Sequence, residues 1–83
     1  MSITGAVEAV QFRNAILKFL QTNYVGQDLP YERVQRGETD NAVVLTRHSG
    51  LQIEGVIIKE GKNFRICLPD GHPIEVQEKQ ILS

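Results

Sequence analysis

From Ala6 to about Tyr24 the apolar residues Ala9, Phe12, Ile16, Phe19 and Leu20 recur every three or four positions, while Glu8, Arg13, Asn14, Lys18 and Gln21 fall mostly elsewhere on the wheel. That period predicts an amphipathic helix over about residues 6–24. Ser2 or Thr4 is placed to cap its first turn, and Gly26 follows the last periodic residues at a position suited to a left-handed C-terminal cap. The pattern then lapses. QDLPYERVQRGETDN, residues 27–41, carries one proline, one glycine and many charges without a sustained period. It reads as a long loop over about 26–41, with a brief extended piece at Tyr31–Val34. A loop of that length suits a mobile arm, a binding loop or an insertion, and is a candidate contact for a protein partner.

From residue 42 onward the period changes to two. Val43 and Leu45 alternate with Thr46 and His48, Ser49-Gly50 supplies a turn, and Leu51 and Ile53 alternate with Gln52 and Glu54. After Gly55 the apolar residues Val56, Ile57 and Ile58 occupy both faces. Glu60-Gly61-Lys62 predicts a second turn, followed by Phe64, Ile66 and Leu68 alternating with Arg65 and Cys67. Pro69-Asp70-Gly71 leads into Ile74 and Val76, and Ile81-Leu82 forms a last short apolar piece. The expected fold is mainly β: an N-terminal helix and then a small, strongly bent, five-stranded antiparallel SH3-like barrel over about 42–83, all within one domain spanning 1–83. A glycine inside a strand sacrifices packing, so Gly55 is expected to mark a corner where the strand passes from one half of the barrel to the other.

Composition narrows the chemistry. Hydrophobic residues make up 41% and charged residues 23% of 83 positions, ordinary for a folded chain with a thin core. Nine Lys and Arg against ten Asp and Glu leave a formal charge of −1, so any contact with nucleic acid must come from a local cluster rather than a global field. The single cysteine, Cys67, excludes an internal disulfide, and with two scattered histidines it offers no metal-ligand spacing. Cys67 is expected to be an inert, small hydrophobe. His48 and His72 sit at predicted turns, and no nucleophile, base or carboxylate pair converges with them. The glycines are dispersed at turns, with no phosphate-cradling loop. No apolar run is long enough to cross a bilayer, and the first residues lack the basic-then-apolar pattern expected of a signal peptide. The expectation is a cytoplasmic protein with no catalytic residues, metal or cofactor.

Phe12-Arg13-Asn14-Ala15-Ile16 on the helix is similar to the Phe-x-Asn-Ala-Leu stretch of the Sm-like (LSm) family in its bacterial Hfq branch. Ser49-Gly50-Leu51-Gln52-Ile53-Glu54-Gly55-Val56-Ile57 resembles that family's Asn-Gly-x-x-Leu-x-Gly-x-Ile segment. The resemblance implies an Sm-type barrel and a homo-oligomeric ring of six or seven subunits, closed where the fourth strand of one copy pairs with the fifth of the next. It also implies binding of single-stranded RNA in pockets between subunits. Carried onto this sequence, one RNA-binding face comprises Lys62 and Asn63 with Lys79 and Gln80. The opposite face, at the first turn and the start of the second strand, comprises Gly50 and Gln52. Thr46 stands where the family often has a stacking tyrosine, and Gln77-Glu78-Lys79 stands in place of its Tyr-Lys-His. The alternative reading is a small SH3-like barrel that serves as a protein-interaction or assembly module without nucleic acid.

Overall fold

A computed structural model describes residues 5–69 and 71–81, with side chains from residue 12 onward; the proposed caps Ser2 and Thr4, the Ala9 side chain, Asp70 and Leu82 lie outside the described residues. The order of elements is α1 (Gly5–Asn23), β1 (Tyr31–Arg36), β2 (Ala42–Arg47), β3 (Gln52–Glu60), β4 (Asn63–Cys67), β5 (Ile74–Gln77) and the single turn α2 (Glu78–Ile81). The five strands form one antiparallel meander in sequence order. They curl into a half-barrel, so the mainly β architecture expected from the alternation is the one observed.

The helical period is resolved into a buried stripe of Ile16, Leu17 and Leu20, with Phe12 and Phe19 partly covered beside it. The stripe packs on the inner face of the sheet, where period-2 alternation delivers Val34, Val43, Leu45, Ile53, Ile57, Phe64, Ile66, Ile74 and Val76. Phe12 meets Phe64 with ring centroids 5.2 Å apart and planes tilted by 55°, a favourable aromatic geometry. Gly26 is not a left-handed cap, because its φ is not among the positive ones. Instead its N–H donates to Tyr31 O at 3.2 Å, while Tyr31 N–H donates to Tyr24 O at 3.1 Å, tying the end of the helix to the first strand.

Two elements differ from expectation. The segment read as a long loop contains β1, a full strand paired with β2. Its buried residues, Tyr31 and Val34, are three apart, because a register shift between Tyr31 and Arg33 breaks the alternation that reveals a strand. The last apolar piece is not a fifth strand: Ile81 ends the helical turn α2. The count of five is reached with β1 at the start of the meander rather than Ile81-Leu82 at its end.

Gly55 owes its place to two features of β3. The strand pairs with β2 through Gln52–Val56 and with β4 through Val56–Glu60, so it changes neighbours at the residue next to Gly55. A Cβ on Gly55 would lie 2.6 Å from Ile66 Cγ2 and 2.9 Å from Leu68 Cδ2, closer than atoms can pack. The handover lets one strand serve both halves of the curled sheet, and the missing side chain lets β4 close in. Beyond it only Ile57 is core; Val56 is exposed and Ile58 half-buried, leaving apolar surface on the outer face.

The outer edges of the sheet are partly occupied by the chain itself. Gln21 Nε2 donates to Val34 O at 3.1 Å on β1, and Gln77 N–H donates to Gln80 Oε1 at 2.9 Å on β5. Side-chain amides thus take the place of a neighbouring strand at one acceptor and one donor, one way of blunting an open edge.

Candidate functional site

Gly61-Lys62 is a two-residue loop between the paired residues Glu60 and Asn63. Gly61 has φ 62°, which a glycine at the first loop position of a tight hairpin supplies without strain. This turn projects Lys62 and Asn63 toward the far end of β5. Asn63 pairs with Gln77, and Glu78 N–H donates to Lys62 O at 3.2 Å, so the ladder runs one residue past the strand and seats α2 against the turn. The result is an open cleft of about 470 Å³ lined by Lys62, Asn63, Gln77, Glu78 and Lys79.

Three residues named from sequence, Lys62, Asn63 and Lys79, therefore meet in one cleft. Gln80 does not join them: its Oε1 accepts the Gln77 N–H, and it borders a separate hollow facing Ala15, Lys18 and Phe19 of α1. Gly50 and Gln52 lie at the β2–β3 turn, the opposite end of nine-residue β3. At ~3.3 Å per residue that separates them from the cleft by roughly 26 Å along the strand. Gly50 holds its turn with φ 95°, and Gln52 pairs with Thr46. Thr46, where the resemblance places a stacking ring, is buried, and its Oγ1 has no hydrogen-bond partner.

Gln77 was missed by the sequence reading. Alternation alone gave its outward face, since Phe64 and Val76 face the core; its direct pairing with Asn63 comes from the register of β4 and β5. Side by side, their two amides present donors and acceptors able to meet the edge of a nucleobase, and the two lysines supply charge for phosphate. No aromatic side chain lines the cleft, so recognition there proceeds through edges and charge rather than stacking.

The charges are sorted around the cleft. Lys59 Nζ donates to Gly61 O at 2.7 Å, lies 3.9 Å from Glu78 Oε2 and sits 5.3 Å from the Phe64 ring centroid. On the outer face Arg65 contacts both Glu60, at 3.2 Å, and Glu75, at 3.0 Å. Among the described residues Lys62 and Lys79 have no carboxylate partner.

Other expected features are dispersed. Cys67 is exposed rather than buried, because the alternation that takes Ile66 inward turns Cys67 outward beside Val56, Leu68 and Pro69. His48 Nε2 lies 2.8 Å from Leu29 O and ties two turns together, and His72 is exposed. Among the described residues no three His, Cys, Asp or Glu side chains come together as a metal site, and no helix is long and apolar enough to cross a membrane. No family model, curated protein or solved structure matches the chain.

Proposed function

We propose that this chain is an Sm-like, Hfq-like RNA-binding protein without chemistry of its own, a cytoplasmic platform that holds single-stranded RNA. The observation that carries the reading is the convergence of Lys62, Asn63 and Lys79 in one cleft from two separate turns, with Gln77 added beside them. Unpaired lysines for phosphate and amides for base edges are the groups that single-stranded RNA requires. The near-neutral total charge makes one such site weak, and repetition in a homo-oligomeric ring of six or seven copies would raise its effective affinity.

Self-association is proposed through the sheet edges. Since Ile81 belongs to α2, the closing strand implied by the resemblance is replaced in this proposal by β1, with β5 of the neighbouring copy opposite. Strand order makes β1 and β5 parallel, and on β5 the ladder alternation leaves the Glu75 N–H and C=O directed away from β4.

A second reading is favoured by the apolar outer face. Val56 is 41% exposed, and a shallow hollow joins it to Glu54, Cys67, Leu68 and Pro69, while Leu51, 56% exposed, stands apart at the β2–β3 turn. These residues suit a protein-interaction or assembly module, with the 27–41 segment as an additional contact.

Titration of labelled oligo-U and oligo-A at two salt concentrations separates the two. The first reading predicts micromolar binding of RNA. Lys79→Ala should reduce the slope of log affinity against log salt by about one counterion, and Asn63→Ala should weaken binding by about fivefold. If neither RNA binds at micromolar protein, or both substitutions leave binding unchanged, the module reading replaces it.

A further inference from the structure

We infer that Lys59 is a positioning residue that holds the Glu78 carboxylate of the cleft, so that Lys62 and Lys79 are the charges left to face an RNA phosphate. The inference rests on the RNA reading and deepens it: it says what sets the affinity of that cleft for a phosphate-bearing strand.

Among the described residues Glu78 is the only acid lining the cleft, which it shares with two lysines that would attract the same phosphate. Left alone, it would either pair with Lys62 or Lys79 or repel the strand directly. Lys59 addresses it from behind. The Lys59 side chain is 13% exposed, against 30% for Glu78, and it does not line the cleft. Three contacts fix its ammonium: the Gly61 carbonyl, the Glu78 carboxylate and the face of Phe64. A cation held this way loses little further freedom when it pairs, so it competes well for Glu78 against the exposed lysines Lys62 and Lys79.

Arg65 performs the same service on the outer face. It lies on the same side of β4 as Asn63, opposite Glu75 in the ladder, and its guanidinium takes both Glu75 and Glu60, the residue paired with Asn63. Glu78 in the cleft, and Glu60 and Glu75 beside it on the outer face, are thereby matched to two cations that do not line the cleft. The sequence alternation explains the arrangement: residues 60, 63, 65, 75 and 77 fall on one face of three adjacent strands.

A thermodynamic cycle on Lys59 and Glu78 tests this. Lys59→Met keeps the aliphatic stem over Phe64 and removes the charge. It should weaken oligo-U binding about fivefold by releasing Glu78 into the cleft, whereas Lys59→Arg should bind as the unsubstituted protein does. Glu78→Gln should strengthen binding, and Lys59→Met added to Glu78→Gln should cause no further loss, since no acid remains to be held. Equal weakening by Lys59→Met in both backgrounds would overturn the inference, because it would place Lys59 on the RNA or in the fold alone. The same four proteins are melted without RNA, where non-additive shifts in Tm are expected. Additive shifts would remove the ion pair whether or not RNA binds. Loss of RNA binding in the unsubstituted chain, together with non-additive melting, would sink the RNA reading and the positioning role while leaving the ion pair as a structural feature.

Discussion

Phe64→Ala is expected to leave the chain largely unfolded at 37 °C. Phe64 is the largest fully buried side chain, with no exposed surface, and it joins three parts of the molecule. Its ring packs on Phe12 of α1, supports the Lys59 ammonium of β3 and stands opposite Val76 of β5. Truncating a buried phenylalanine costs about 3–5 kcal/mol, the lost transfer energy plus the cavity that remains. A chain of 83 residues has a total stability of about 4–12 kcal/mol at the usual value per residue. The loss is therefore of the same order as everything that holds the fold together. Circular dichroism and thermal melting read it directly. A cooperative transition within a few degrees of the unsubstituted protein would show that α1 is not anchored on β4 as described.

Gly55→Val should rank next. Even alanine would place its Cβ 2.6 Å from Ile66 Cγ2, and Ile66 is β-branched and fully buried, so it cannot turn away. Overpacking of this kind costs about 1–3 kcal/mol, and valine adds two methyl groups to the same clash. Expressed as melting temperature, each 1 kcal/mol amounts to about 4–8 °C in a domain this small. Gly55→Ala should thus lower Tm by roughly 5–20 °C, and Gly55→Val by more. Gly50→Ala is the useful contrast, since nothing lies within 4 Å of its Cβ position and only its φ of 95° opposes the change. The Gly50 substitution should cost only about 1 kcal/mol, as for an ordinary residue in the left-handed region. Equal losses at the two positions would mean that the close approach of β4 to β3 is not what requires Gly55.

Much of the fold could be read from periodicity because the sheet keeps one face in the core. Strict alternation in the first part of β3, in β4 and in β5 survives translation into burial, as Phe64 and Ile66 or Ile74 and Val76 illustrate. β1 was legible only as a brief extended piece at Tyr31–Val34, because a bulge spaces those two residues by three and its other positions are charged or amide side chains at the surface. α2 escaped because one helical turn has no period to detect; what sets it is the Gln80 amide returning to the Gln77 N–H, a contact that depends on the sheet edge already being formed. The outward turn of Cys67 was in principle readable, since a residue between inward Ile66 and half-buried Leu68 must face away from the core.

The candidate site divides along the same line. Lys62 and Asn63 could be placed at a turn from sequence, and the hairpin register then brings Lys79 near them. Gln77 needed that register to be known, and Lys59 needed the burial of its neighbours, because a lysine in a strand looks like any solvated charge until its ammonium is seen against Gly61, Glu78 and Phe64. Gly50 and Gln52 came from the resemblance alone, and they lie at the opposite end of β3 from the cleft.

The most direct measurement of the central claim is amide chemical-shift mapping of the isotopically labelled chain during titration with oligo-U. Saturable shifts are expected at Lys62, Asn63, Gln77, Glu78 and Lys79, with the Gly50–Gln52 turn nearly silent. Shifts centred instead on Val56, Cys67 and Leu68, or none at millimolar RNA, would contradict the claim.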